Sequence, residues 1–78
     1  MYHKRRKEFG AAPTTVEALM YSLRERGEAA LREPDTQRRL SELSFPQIIE
    51  VHERLHRLRP RYPKISDDLL HFLVELAK

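Results

Sequence analysis

The sequence contains no cysteine, no asparagine and only two glycines. Without cysteine, the chain has no disulfide, no cysteine-based zinc site and no thiol nucleophile. Strand-rich folds use glycine, asparagine and β-branched residues in their hairpin turns, so this composition argues against such a fold. Long hydrophobic runs are lacking as well. The longest apolar-rich stretch, residues 69–77, is interrupted by His71 and Glu75, and it is far shorter than the roughly eighteen residues that indicate a membrane span.

The sequence also lacks a secretory signal, because no apolar segment follows the basic residues near its start. The absence of cysteine is compatible with a reducing compartment. These absences lead us to expect a cytoplasmic protein without a membrane partner.

The residues that are present suit one small helical domain. The chain has 78 residues, of which 40% are hydrophobic and 35% charged. Many large apolar side chains, including eleven leucines, lie between Val16 and Leu76. This supply is enough for one compact helical core, but it does not extend to a core plus a deep catalytic cleft. We therefore expect a soluble single domain without enzymatic activity.

Apolar spacing predicts helices at residues 15–26, 34–42, 45–58 and 66–77. The first of them shows the i, i+3, i+4, i+7 pattern of one helix face, carried by Val16, Leu19, Met20 and Leu23. The apolar spacing in residues 28–43 is less regular, and it is compatible with one bent helix or with two short ones. The predicted fold class is all-α: a compact bundle of three main helices plus one or two short ones, formed by residues 14–78. Residues 1–13 are predicted to form a basic flexible arm.

Three of these helices have recognisable start signals. Thr14 and Glu17 are spaced as a capping box for the first helix, and Ser44 and Gln47 are spaced in the same way for the third. Ser66 is the expected N-cap of the last helix.

One further signal concerns the end of the first helix. Gly27 stands where a helix often ends in a left-handed residue.

The last helix has a wide apolar arc: Leu76 belongs to its predicted core face, and Phe72 and Val74 flank that face. Burial of this arc is the preferred interpretation, and exposure of part of it to a partner is the alternative.

One motif has the spacing of a metal site. His52, Glu53 and His56 spell H-E-x-x-H on a predicted helix, so the two imidazoles could share a zinc ion and Glu53 could act as a general base. His71 or Glu75 could supply a third ligand. Catalysis of this kind needs a substrate cleft that a chain of this size cannot build. We therefore expect no metal and no cofactor, and His52 and His56 are retained only as weak metal candidates.

Basic residues are concentrated in two segments, although the chain as a whole carries a formal charge of only +3. A basic surface combined with a flexible basic arm is typical of proteins that bind nucleic-acid phosphates. A solvated charged face is the alternative, since arginine also covers apolar surface with its stem. The candidate binding residues in these segments are Lys4, Arg5, Arg6, Lys7, Arg54, Arg57, Arg59, Arg61, Tyr62 and Lys64.

These observations lead to two functional hypotheses. The first is a small non-enzymatic helical binding module, a regulator or inhibitor that contacts a protein partner through Phe72, Val74 and the basic segment 57–64. The second is an accessory protein that binds DNA or RNA through the basic arm and the basic helix end. A helix-turn-helix over residues 34–58 is only weakly indicated, because Glu50 and Glu53 would face phosphates. The sequence does not indicate an oligomeric state.

Overall fold

A computed structural model of the protein describes residues 12–78, and the predicted arm lies almost entirely outside this range. The described chain is all-α and contains no β-strand. Its α-helices are α1 (Pro13–Arg26), α2 (Pro34–Glu42), α3 (Phe45–Leu58) and α4 (Asp67–Ala77), and a 3-10 helix (Gly27–Arg32) joins α1 to α2. The predicted all-α class is confirmed, and the irregular region forms two short pieces rather than one bent helix.

The start of α1 differs from the predicted one. The N-cap is Ala12, and no side chain caps the helix. Pro13 occupies the first helical position, where its fixed φ suits a helix and its missing N–H costs nothing. Thr14 therefore lies inside the first turn. The prediction of a Thr14–Glu17 capping box was therefore wrong. The Glu17 carboxylate is available for a contact elsewhere in the fold.

The starts of α3 and α4 agree with the sequence. The Ser44 side chain accepts a hydrogen bond from the Gln47 backbone N–H, and the Gln47 side chain accepts one from the Ser44 N–H, which completes the capping box. At α4 the Leu69 backbone N–H donates to Ser66 Oγ at 3.1 Å. Such caps satisfy backbone donors that the helix itself leaves without a partner.

Gly27 ends α1 with a positive φ of 61°. Its ψ of −135° lies outside the left-handed helical region, so the expected left-handed cap was only partly right. The space around Gly27 is also restricted, because a Cβ at this position would overlap the carbonyl oxygen of Lys64. The start of the 3-10 helix thus packs closely against the segment between α3 and α4. The Ser66 hydroxyl adds a 2.6 Å hydrogen bond to Glu28 in the same region.

The core is a continuous cluster of aliphatic side chains from all elements. α3 packs against α4 after the connecting segment 59–66, and α1 packs against α3. Each fully buried leucine contributes about 1.5–3 kcal/mol through the hydrophobic effect. The most deeply buried large residues of this core are Leu19, Leu23, Val51, Leu55, Ile65, Leu69 and Leu73.

One predicted core residue lies at the surface. Leu76 is 42% exposed, although its spacing assigned it to the core face of the last helix. At this end of α4 the nine-residue helix α2 presents Gln37 and Ser41. Among the described residues, Leu40 and Phe72 line the same surface as Leu76 but leave it partly exposed.

Candidate functional site

An apolar groove lies between α2 and α4. It has a volume of about 180 Å³ and is lined by Gln37, Leu40, Ser41, Phe72 and Leu76. Phe72 is 39% exposed and Leu76 42%, whereas Leu40 is buried and forms the floor. Phe72 and Leu76 are spaced i, i+4 on α4, and Gln37 and Ser41 have the same spacing on α2. This spacing places each pair along one edge of its helix.

The polar side chains at the rim of the groove already have partners in the chain. Gln37 Nε2 donates to the Leu31 carbonyl at 3.2 Å, and Ser41 Oγ donates to the Arg38 carbonyl at 2.6 Å. One hydrogen-bond donor of each side chain is therefore satisfied within the chain. What the groove offers is mainly apolar surface.

A further exposed aromatic residue lies at the start of α3. Phe45 is 60% exposed, and it is the first residue of α3. It follows the groove residue Ser41 by only four positions in the chain. Phe45 does not line the groove itself.

Two of the predicted phosphate-binding arginines are engaged in ion pairs. Arg54 Nη1 lies 3.0 Å from a Glu17 carboxylate oxygen and 3.5 Å from a Glu50 oxygen. The hydrogen bond to Glu17 raises the pKa of Arg54 above its ordinary value. Arg59 forms an ion pair with Asp67. The three carboxylates therefore offset the charges of Arg54 and Arg59, which the sequence assigned to a basic surface.

Tyr62 has a packing role that the sequence did not indicate. It is half-buried and contacts the core, and the Arg24 guanidinium lies 5.2 Å from its ring centroid. Arg24 is also 5.2 Å from the ring centroid of Tyr21, so one cation is shared by two aromatic rings. Tyr62 therefore contacts both the core and the Arg24 side chain within the chain.

Three of the predicted binding residues are exposed basic side chains without an ion pair to any residue between positions 12 and 78: Arg57, Arg61 and Lys64. They lie at the end of α3 and in the segment that follows it. None of them lines the groove described above. The groove beside Phe72 is thus formed without the basic segment, although the sequence combined the two in one surface. The predicted contacts of Lys4, Arg5, Arg6 and Lys7 lie outside the described residues.

The two histidines of the H-E-x-x-H motif are neighbours on α3. Their ring centroids are 6.3 Å apart, with an angle of 31° between the ring planes. Together with Glu53 and Arg57 they line an open depression. His71 lies instead on α4, 3.5 Å from Glu75, and no group of three potential metal ligands occurs within residues 12–78.

Comparison of the chain with protein-family models, curated proteins and solved structures finds no match. None of the helices within residues 12–78 combines the length and the hydrophobicity that are needed to cross a bilayer. A helical bundle is compatible with many functions, so the function of this protein depends on the surfaces that the bundle presents.

Sequence reasoning named Phe72 but missed the residues that make it part of a groove. The i, i+4 spacing of Phe72 and Leu76 is visible in the sequence. The facing residues Gln37, Leu40 and Ser41 could not be assigned, because they depend on how α2 packs on α4.

Proposed function

We propose that the protein is a non-enzymatic binding module that docks onto another protein through the groove between α2 and α4. In this proposal it regulates or inhibits the partner by occupying a surface of it. The observation that carries the proposal is the exposure of Phe72 (39%) and Leu76 (42%) beside the buried Leu40. Aromatic and large aliphatic side chains at a concave site are the usual anchors of protein interfaces.

The size of the groove favours a side chain of a partner over a small-molecule ligand. Its volume of about 180 Å³ is below the roughly 300–1,000 Å³ that is typical of ligand and cofactor sites. A cavity of this size accepts one large apolar side chain. Because the groove runs between two helices, an amphipathic helix of the partner fits it best.

The rim supports the same interpretation. The amide of Gln37 and the hydroxyl of Ser41 donate to backbone carbonyls of their own chain. Binding an apolar side chain therefore does not leave these two donors without a partner, which reduces one of the costs of burying such surface.

Affinity enrichment with three versions of the purified chain tests this proposal. Leu76→Glu places a carboxylate in the groove, and Arg57→Glu introduces the same charge on α3, outside the groove. We expect one protein to be retained by the wild type and by Arg57→Glu and lost with Leu76→Glu. That protein is then purified and its Kd measured against all three versions. Equal binding by Leu76→Glu, with its helical content intact by circular dichroism, would overturn the groove as the docking site.

A second function, nucleic-acid binding, is favoured by the three exposed basic residues Arg57, Arg61 and Lys64, together with the basic sequence of Lys4–Lys7. It predicts binding of a mixed-sequence DNA duplex that weakens steeply as salt increases. Fluorescence anisotropy at low and near-physiological salt measures this. Loss of binding in Arg57→Glu but not in Leu76→Glu would favour this second function over the first. In either case we propose the cytoplasm as the site of action.

A further inference from the structure

The histidine pair on α3 offers a binding site that is separate from the groove. His52 and His56 are four residues apart, which places them about 6 Å apart along the helix and about 40° apart around it. His52 is half-buried and His56 is exposed. Their imidazole nitrogens make no hydrogen bond to any residue within the described range. Both rings therefore have nitrogen atoms available to a ligand.

From this geometry we infer that His52 and His56 chelate one divalent transition-metal ion of the zinc, nickel or copper type. In a tetrahedral chelate with metal–nitrogen distances of about 2.0–2.1 Å, the two ring centroids lie roughly 5 Å apart. The observed centroid separation is 6.3 Å and the angle between the ring planes is 31°. The rings therefore reach a chelating geometry through side-chain rotation, without a change in α3.

The surroundings of the pair are compatible with a cation. Glu53 and Arg57 line the same depression as the two histidines. The negative carboxylate of Glu53 offsets the positive guanidinium of Arg57. The two side chains together therefore add no net positive charge that would repel a metal ion. Imidazole donors select zinc, nickel and copper, whereas magnesium and calcium require oxygen ligands.

Two histidines leave part of the coordination sphere open. A four-coordinate ion bound by this pair has two positions for water or for donor groups of another molecule. No third ligand from residues 12–78 lies beside the pair, and His71 is placed against Glu75 on α4. The inferred site therefore suits a metal ion that links the protein to a second donor-bearing molecule, and it is distinct from the docking groove.

Isothermal titration of the full chain with nickel chloride tests the inference. We expect the wild type, His3→Ala and His71→Ala each to bind one ion at the pair, since the two variants remove histidines that the site does not use. His52→Ala and His56→Ala each remove one ligand. Their affinity should fall by at least about tenfold, because even the loss of a second-shell partner typically costs about 10–100-fold.

The sharpest control exchanges two neighbouring residues in the double variant His56→Arg/Arg57→His. It preserves composition, net charge and the number of histidines, but it moves one ring about 100° around the helix. We expect it to lose the binding that the wild type shows while retaining its helical circular dichroism. Equal affinity of the exchanged variant and the wild type, or of either single alanine variant (His52→Ala or His56→Ala) and the wild type, would overturn the two-histidine chelate. Absence of nickel binding to the wild type would do the same.

Discussion

Arg54 on α3 donates a 3.0 Å hydrogen bond to the Glu17 carboxylate on α1. The two residues are 37 positions apart in the chain, and their sequence context suggested other roles, a phosphate contact for Arg54 and a capping box for Glu17. Pro13 starts α1 early and leaves Glu17 without a capping role. The pair therefore ties α1 to α3 on the protein surface.

We predict that the Arg54–Glu17 pair stabilises the fold only modestly. The Arg54 side chain is 34% exposed and the Glu17 side chain 64%, and exposed ion pairs typically contribute about 0.2–1 kcal/mol. A double-mutant cycle with Arg54→Gln and Glu17→Gln, measured by urea unfolding, should give a coupling energy in that range. The coupling should decrease in high salt. A coupling energy near zero at low salt would contradict the assignment of this contact.

The helix caps give a matched pair of substitutions. Ser44→Ala removes a side chain that accepts from the Gln47 N–H, and it should cost about 0.5–2 kcal/mol of unfolding free energy. Thr14→Ala should change stability by less than about 0.5 kcal/mol, as expected of an exposed position without such a role. Thermal and urea unfolding of both variants measure the difference. If Thr14→Ala were as costly as Ser44→Ala, α1 would have to begin as the sequence predicted rather than at Pro13.

Gly27→Ala should destabilise the protein clearly. The φ of 61° disfavours any residue with a side chain, which costs of the order of 1–3 kcal/mol. The added Cβ would also overlap the Lys64 carbonyl oxygen, so the segment between α3 and α4 has to move. Ala29→Gly, at an exposed position of the same 3-10 helix, is the control and should have a smaller effect. Equal stability of Gly27→Ala and the wild type would rule out this close approach.

The Arg26–Glu33 pair should be visible in a pH titration. Arg26 Nε and Nη2 donate to the two carboxylate oxygens of Glu33 at 2.6 and 2.8 Å, and this hydrogen bonding lowers the pKa of Glu33. A lowered folded-state pKa contributes stability above the unfolded-state pKa, and this stability is lost as the pH falls through the folded-state value. Carbon NMR of the Glu33 carboxyl should therefore show titration at a lower pH in the wild type than in Arg26→Gln. The same midpoint in both proteins would contradict the pairing.

Local sequence rules predicted most of the backbone. Helix α2 matches its predicted range, and so does α3, because Pro34 and the Ser44–Gln47 box are signals that act within a few residues. The start of α1 was missed because two local signals compete there. Pro13 at the first helical position prevailed over Thr14 as a cap.

The surfaces were less predictable, because they depend on contacts between distant parts of the chain. The sequence counted Arg54 and Arg59 as free charges, but Glu17 and Asp67 approach them only in the folded bundle. In the same way, Phe72 was a candidate from its own helix, while the groove beside it also requires Leu40 from α2. Charge counting along a sequence therefore overestimates a basic surface when acids are nearly as abundant as bases, here 12 against 15.

Photocrosslinking from the groove tests the central proposal most directly. A photoreactive phenylalanine analogue is placed at position 72 in the groove or, as the control, at position 57 on α3. Both proteins are expressed in the cells that naturally produce this protein. We predict that position 72 crosslinks to one defined protein, that position 57 does not, and that Leu76→Glu abolishes the crosslink. Crosslinks to nucleic acid from position 57, with none from position 72 to any protein, would contradict the account.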